Sequence, residues 1–241
     1  MQDLATRDGL TVWRTRVSAE LPRLEQHRGR LSEAEQARAE RFHQAADRQR
    51  FLVAHGVLRE LLARMLGLAP AALAFGAAES GKPCLLQAAG ALHFNLSHSG
   101  DWVLHAICRG GPVGVDVEAV RPDLARLEDF ESVFSAPERD GLYALPPGQR
   151  AAAFARFWVR KEAYVKALGD GLSRSLPDIC IGPDPHGRIA LLYDRNPAPA
   201  PQRWVVADLE VDPVHAGCVV YVEGAGPPRV HDYQPGEVHG P

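Results

Sequence analysis

Two long helical segments, each ended by a glycine and followed by short strands, constrain the fold of this chain more than any other feature. The first runs from about Asp47 to Leu66, before Gly67, and the second from about Ala151 to Leu168, before Gly169. Glycine readily adopts the left-handed conformation that commonly ends a helix. In both segments the order is long helix, glycine, short strand and hairpin, which predicts an internal duplication.

The duplication predicts an α+β fold of two similar halves related by a pseudo-twofold axis, each a long helix packed on a small antiparallel sheet. A glycine- and proline-containing break at residues 110–112 separates an N-terminal half, residues 1–112, from a C-terminal half, residues 113–241. Sites often form where two such units meet, so the active site is expected at the junction. The tail after Gly224 is expected to be mobile.

The composition indicates an enzyme-sized soluble protein. Of the 241 residues, 46% are hydrophobic and 24% are charged, which is ordinary for a globular protein. The net charge of -3 gives no support for a nucleic-acid binder, and no apolar stretch approaches a membrane span. The four cysteines include no C-x-x-C pair, so we expect reduced thiols and a cytoplasmic location.

Two acidic segments have the residue types of a metal site. In Val113–Glu118, valines alternate with other residues at strand spacing, so Asp116 and Glu118 project from one face. In the second helix, Glu162 and Lys166 are four residues apart and share one side. Alone, each pattern is more often a solvated surface. Together, three carboxylates beside a lysine suit a hard divalent cation and a phosphate ester.

The segment Ser97-His98-Ser99-Gly100 could supply donors to phosphate oxygens at a strand end. A nucleophilic serine activated by the adjacent histidine is less favoured, because neighbours on one segment rarely face each other and no G-x-S-x-G elbow is present. A hydrogen-bonded turn without chemical function is the remaining interpretation of these residues.

Taken in order, the motifs resemble those of a known family. They are Arg41-Phe42, Arg50, Gly81-Lys82-Pro83, Phe94-Asn95-Leu96-Ser97-His98-Ser99, Val113-Gly114-Val115-Asp116-Val117-Glu118 and Trp158-x-x-Lys161-Glu162-Ala163-x-x-Lys166-x-x-Gly169. This arrangement is similar to the 4′-phosphopantetheinyl transferase superfamily in its long, surfactin-synthetase-activating type. That family is described as a fused pseudo-dimer, in agreement with the duplication.

The resemblance implies transfer of 4′-phosphopantetheine from coenzyme A to a serine of an apo acyl or peptidyl carrier protein, which releases adenosine 3′,5′-bisphosphate. By match to the family motif, Asp116, Glu118 and Glu162 would ligate Mg²⁺. Glu162 would also remove the serine proton, directly or through a metal-bound water. Lys166 would contact the pyrophosphate, and Lys161 is a less secure cofactor contact because an angular step of about 100° separates it from Glu162.

For the nucleotide end of coenzyme A, the resemblance implies that Arg50 and His98 bind the 3′-phosphate. The turn that contains Lys82 and Pro83 would flank the adenine, and Ser97 would donate to the pyrophosphate. Relatives often carry extra basic residues just before the Arg-Phe pair. In the stretch 33–41 of this chain, only Arg38 and Arg41 are basic.

Two other functions and the docking surface stay open. A Mg²⁺-dependent pyrophosphohydrolase would cleave the donor with water, and an inactive module would bind a carrier without turnover. The carrier is expected to dock on residues 119–135 and the start of the second long helix, where Arg121 and Arg126 could meet an acidic helix. We expect a monomer that acts on neither nucleic acid nor membrane.

Overall fold

The computed structural model describes residues 9–78, 81–121, 132–169, 174–197 and 202–236. Its helices in these ranges are α1 (Val17–Glu20), α2 (Leu24–Arg30), α3 (Glu33–Ala39), α4 (Ala45–Leu66), α5 (Ala136–Tyr143) and α6 (Pro147–Leu168). Its strands are β1 (Leu10–Arg16), β2 (Phe75–Ala77), β3 (Pro83–Leu85), β4 (His93–Ser99), β5 (Trp102–Cys108), β6 (Val113–Ala119), β7 (Ile179–Pro183), β8 (Ile189–Asp194), β9 (Trp204–Asp212), β10 (His215–Val222) and β11 (Arg229–Asp232).

The topology repeats in the two halves. The first sheet has the order β11-β1-β5-β4 and the second has the order β6-β10-β9. Strand β1 is antiparallel to β5, as β6 is to β10. In each half a long helix is followed by a short hairpin, β2-β3 or β7-β8, and then by a longer one, β4-β5 or β9-β10. The predicted α+β fold of two similar halves is confirmed.

Apolar side chains organise the halves into a layered core. One cluster joins α4 to the first sheet through residues such as Val57, Leu61 and Ile107. A second joins α6 to the second sheet, and a third fills the space between the sheets with Val12, Val115 and other side chains. Burial of apolar surface is the main stabilising contribution to such a core. The long helices therefore lie on the outer faces of two sheets that share an apolar interior.

Helix ends repeat in the same way. Gly67 and Gly169 end α4 and α6 with φ values of 66° and 88°, the left-handed conformation that glycine adopts without steric cost. Helices α3 and α5 both begin with a serine and a glutamate that form a capping box, which satisfies amide groups at the helix start. Local sequence therefore sets the limits of equivalent helices in both halves.

A buried ion pair is also duplicated. Arg59 Nε of α4 lies 2.7 Å from Glu35 Oε2 of the first capping box, and Lys161 Nζ of α6 lies 2.6 Å from Glu138 Oε2 of the second. Arg59 also donates to the carbonyl of Leu73, and Lys161 donates to two carbonyls in the segment that follows its own helix. Each long helix is thus fixed to the helix before it and the loop after it by one cation.

The halves meet where β4 runs beside β6. Val115 N donates to Asn95 Oδ1 at 2.9 Å, and Ala119 N donates to Ser99 Oγ at 3.1 Å. These contacts advance in the same direction along both strands, so the strands are parallel. In these two hydrogen bonds, side-chain oxygens of β4 accept from backbone amides of β6, in place of the carbonyls of a regular β-ladder. Polar side chains of β4 therefore lie at the junction beside β6.

Gly114 allows α6 to approach β6 closely. A Cβ on this residue would lie 2.0 Å from Ala163 O and 2.4 Å from Ala167 N, distances that the helix backbone cannot accommodate. Gly114→Ala is therefore expected to lower the free energy of unfolding by about 3 kcal/mol or more, measured by urea denaturation. Gly148→Ala is the control, because Gly148 lies on α6 at a position with open space around it. This variant should be neutral or slightly stabilising. Equal stabilities of the two variants would contradict this reading of Gly114.

The C-terminal tail differs from its prediction. Residues after Gly224 were expected to be mobile, but β11 pairs with β1 in parallel, from Thr11 with Arg229 to Arg14 with Asp232. Tyr233 is buried. The chain thus crosses the division at residue 112 and adds a strand to the first sheet. Among the described residues, none of the helices has the length and apolar character needed to span a bilayer.

Candidate active site

The predicted acidic residues lie at the junction of the halves. Asp116 and Glu118 project from β6 on the face that α6 covers, because their cross-strand partners Cys218 and Ala216 belong to the α6 core. Glu162 of α6 is close enough for the charge of Asp116 to affect its pKa. The structure therefore brings together the three carboxylates that the sequence singled out.

Lys166 and Ser97 complete this group. Lys166 Nζ lies 2.6 Å from Asp116 Oδ1 and 3.0 Å from Ser97 Oγ. Ser97 Oγ donates to the same Asp116 oxygen at 2.6 Å. Asp116 is 5% exposed, so its charge needs compensation, and Lys166 supplies it. The strand β4, the strand β6 and the helix α6 each contribute one member of this network.

The pKa values of two of the carboxylates are raised, and one of these two, Glu162, is poorly compensated by the protein itself. Burial, and then the charge of Asp116, raise the pKa of Glu162 and of Glu118 above their usual range. Glu162 Oε1 is buried without a hydrogen-bond partner, which is costly for a charged group. Such carboxylate oxygens suit a hard cation. Among the described residues, no three acidic, histidine or cysteine side chains stand in ligating geometry.

Arg50 and His98 form a basic group at one end of the site. Arg50 Nε donates to Gly100 O at 3.1 Å and Arg50 Nη1 pairs with Asp47 at 2.8 Å. Lost hydration, and then the charge of Arg50, lower the pKa of His98, with a smaller effect from Lys166. His98 lies near the end of β4. The two residues can therefore present donors to one anion next to the carboxylate cluster.

Lys82 and Pro83 have different surroundings. Lys82 Nζ donates to Val113 O at 2.7 Å and to Ala167 O at 3.4 Å, so its amine spans the junction between the halves. Burial lowers the pKa of Lys82 to about 8. Pro83 instead lines a cavity of about 480 Å³. The turn thus reaches the cavity through its proline and the junction through its lysine.

That cavity contains residues that the sequence patterns did not single out. It is lined by Glu35, Arg38, His55, Leu58, Phe75, Gly76, Pro83, Phe94, Asn95 and Leu96. His55 packs its ring on Phe51 with centroids 4.1 Å apart and lies 3.6 Å from Glu35 Oε1. A spacing of four residues from Phe51 to His55 was the available signal, but it is equally typical of a core-facing helix position.

Lys161 corrects an expectation. The residue is fully buried, and its Nζ bonds Glu138 and the carbonyls of Leu176 and Ile179 at 2.6–2.7 Å. All of these partners lie in the core of the C-terminal half, so Lys161 does not contact a ligand at the junction. The physical reason is the angular step between adjacent helix residues, which directs Lys161 away from Glu162.

The predicted docking surface is described only in part. Arg121 lies at the end of a described range and is exposed, and its charge acts on the pKa of Glu118. Arg126 and the rest of residues 122–131 lie outside the described residues.

Comparison with known proteins identifies the family of this chain. A model of the 4′-phosphopantetheinyl transferase superfamily matches residues 112–219, and a model of the 4′-phosphopantetheinyl transferase N-terminal region matches residues 19–109. The chain is 36% identical to the 4′-phosphopantetheinyl transferase HetI of a Nostoc strain, over 91% of this chain and 89% of HetI. It is 35% identical to the 4′-phosphopantetheinyl transferase psf-1 of Bacillus pumilus, over 80% and 79% of the two chains.

Among solved structures, a holo-(acyl-carrier-protein) synthase of Bacillus anthracis in complex with CoA is similar, with a TM-score of 0.39 and 22% identity over 45% of this chain and 92% of that one. The family models and the long relatives together establish the class. The chain belongs to the 4′-phosphopantetheinyl transferase superfamily, in its surfactin-synthetase-activating type.

Proposed function

We propose that this transferase moves the 4′-phosphopantetheine group of coenzyme A to a serine hydroxyl of an apo acyl or peptidyl carrier protein, with Mg²⁺. The observation that carries the proposal is the group of Asp116, Glu118 and Glu162, in which Glu162 Oε1 is buried without a hydrogen-bond partner. A set of three carboxylates next to a lysine suits a divalent cation that also binds a diphosphate. The names of HetI and psf-1 support the same reaction.

Asp116, Glu118 and Glu162 would hold the Mg²⁺ ion. When bound, the ion would offset negative charge on the diphosphate of the donor. Lys166, 2.6 Å from Asp116, is a second positive charge beside the same position. Because Lys166 is tied to Asp116 and Ser97, its ammonium group is held in place before the donor arrives, which is the condition for electrostatic stabilisation of a transition state.

The transfer step involves one bond made and one broken. The serine oxygen of the carrier bonds to the phosphorus that bears pantetheine, and the bond from that phosphorus to the bridging oxygen breaks. Glu162 accepts the serine proton, directly or through a water molecule. The electron pair leaves with adenosine 3′,5′-bisphosphate, whose new charge Lys166 offsets. Both halves of the site come from one chain, so we further infer that the protein acts as a monomer.

At the nucleotide end we assign Arg50 and His98 to the 3′-phosphate and Ser97 to the diphosphate. The cavity beside Pro83 accommodates the adenine, with its lysine neighbour Lys82 holding the turn against the second half. An arginine fits a phosphate through two parallel hydrogen bonds. Arg50 already uses part of its guanidinium on Gly100 and Asp47, which fixes the remaining donors toward the ligand.

Arg50→Ala is expected to raise the KM for coenzyme A by about tenfold or more, because a charge-assisted contact with phosphate is worth roughly 1.5–3 kcal/mol. The KM for dephospho-coenzyme A, which lacks the 3′-phosphate, should change little. Arg48→Ala is the matched control, since Arg48 is on the same helix but pairs with Glu40. An equal loss for both donors would show that Arg50 does not bind the 3′-phosphate.

Intact-protein mass spectrometry tests the function directly. An apo-carrier protein is incubated with this protein, coenzyme A and Mg²⁺, and the expected result is a carrier heavier by one phosphopantetheine, a gain that chelation of Mg²⁺ abolishes. Consumption of coenzyme A without modification of fatty-acid or peptide-synthetase carriers would instead identify a hydrolase. Tight carrier binding with coenzyme A intact would identify a binding module.

A further inference from the structure

The first half contains a second copy of the catalytic helix pattern. Seven residues before the terminal glycine stand Glu60 in α4 and Glu162 in α6, and three residues before it stand Arg64 and Lys166. The Arg59 and Lys161 ion pairs occupy the preceding position in both helices. The carboxylate and the cation of the active site therefore both have chemically similar counterparts on the other long helix.

The strand next to that helix, β1, has no acidic residue at the two positions equivalent to Asp116 and Glu118. The turns of β4-β5 and β9-β10 align Trp102 with His215, and these residues pair with Arg16 of β1 and Ala119 of β6. Counting back along both strands, Thr15 takes the place of Glu118 and Trp13 the place of Asp116. Trp13 packs in the α4 core, as expected of the equivalent face. Neither side chain supplies a carboxylate, so this second cleft offers no three-carboxylate set to a metal ion.

The C-terminal segment lies beside β1 in the second cleft, at the position that β4 takes beside β6 in the active site. In the active site, β4 runs parallel to β6, and in the second cleft β11 pairs in parallel with β1. We call residues 229–233 the strap. Tyr233 N donates to Arg14 O at 2.8 Å, and Asp232 pairs with Arg14 at 2.8 Å. The Tyr233 hydroxyl donates to Glu60 Oε2 in the protein interior.

Glu60 is thereby compensated in full by the protein. Its side chain is 8% exposed, Arg30 Nη1 lies 2.6 Å from Oε2, and Arg64 pairs with Oε1. Glu162, in contrast, has an oxygen without a hydrogen-bond partner. Two arginines and a phenol thus bond to the oxygens of Glu60, whereas at Glu162 the charge of Lys166 lowers the pKa and one oxygen has no hydrogen-bond partner. This contrast between equivalent glutamates separates a closed cleft from an open one.

We propose that the strap is the built-in ligand of a catalytically silent second copy of the active-site cleft, which it closes to donors. Through the same contacts the strap ties the end of the C-terminal half to β1 and α4 of the N-terminal half. The comparison with Glu162 rests on the proposed function, which gives that residue its role. The contacts of the strap do not depend on the proposed function.

The test uses three variants of the full chain, Tyr233→Phe, Glu60→Gln and Glu162→Gln, and hydrogen–deuterium exchange of the strap amides. Tyr233→Phe removes one hydroxyl and Glu60→Gln one charge, and both are expected to speed exchange of the strap at least tenfold. Glu162→Gln should leave strap exchange unchanged. Val230→Ala, whose side chain is 40% exposed on β11, is the matched control within the strap and should also leave exchange unchanged.

Transfer rates and binding stoichiometry decide whether the cleft is silent. Tyr233→Phe is expected to keep kcat and the KM for coenzyme A within about twofold of the parent protein, and titration calorimetry with coenzyme A should give one site per chain. Unchanged strap exchange in both Tyr233→Phe and Glu60→Gln would overturn the proposal, as would two donor sites or a loss of kcat in Tyr233→Phe as large as in Glu162→Gln. The exchange result stands even if no carrier is modified, so failure of the proposed function remains distinguishable.

Discussion

Glu162→Gln is expected to lower the rate of phosphopantetheine transfer by about a hundredfold or more, because the variant loses both a ligand charge and the group that accepts the serine proton. The free energy of unfolding should stay the same or rise by about 1 kcal/mol. The stability gain follows from the parent protein, in which Glu162 is partly buried, has an oxygen without a partner and lies near the charge of Asp116. A neutral amide removes that repulsion.

The measurement pairs a transfer assay, monitored by mass spectrometry, with urea denaturation of the same variant. A rise in the Mg²⁺ concentration needed for half-maximal rate separates loss of the metal from loss of the base. Glu210→Gln, at an exposed position of β9, is the control and should change neither rate nor stability. A near-normal rate in Glu162→Gln would refute the role of this residue, and a large loss of stability would show that the carboxylate is structural.

Lys161→Met is expected to lower the free energy of unfolding by about 3–5 kcal/mol. Lys161 is fully buried and Glu138 is 2% exposed, so removal of the cation leaves a carboxylate with no opposite charge in the core. Glu138 also accepts hydrogen bonds from Ser135 N and Ile181 N, which hold it in place and prevent its escape to solvent.

The double variant Lys161→Met with Glu138→Gln tests this explanation. Because the second change removes the uncompensated charge, the double variant should lose clearly less than the sum of the two single variants. Arg156→Met, an exposed position on the same helix, should change stability by no more than about 0.5 kcal/mol. Additive losses would show that the two side chains do not act as a pair, and a loss below about 1 kcal/mol for Lys161→Met would contradict the prediction.

Local patterns allowed much of the fold to be predicted. Helical spacing with a terminal glycine located α4 and α6, and alternation located β6, because these features depend on the residues of one segment and their neighbours in sequence. The β11 strand was missed for the opposite reason. Its four residues carry little alternation, and the strand exists because β1 offers an edge and Glu60 a buried partner for the tyrosine that follows it.

The candidate site divides in the same way. Asp116, Glu118, Glu162 and Lys166 could be chosen from spacing, since alternation on a strand and a four-residue step on a helix place side chains on one face. Lys161 could not be placed from its motif. Whether the lysine next to Glu162 reaches the site or the core depends on what packs on that side of the helix, and here the partner is a glutamate from a capping box in another element.

The sequence by itself determined the class of protein, the two-part α+β plan and the carboxylates with their lysine, because each rests on residue types at fixed short spacings. Only the tertiary structure decided that Lys161 belongs to the core, that Lys82 spans the junction and that the tail pairs with β1 and reaches Glu60. These depend on contacts between segments that are distant in the chain, such as Glu60 with Tyr233. Such contacts form because burial makes an uncompensated charge costly, a requirement that no short sequence pattern records.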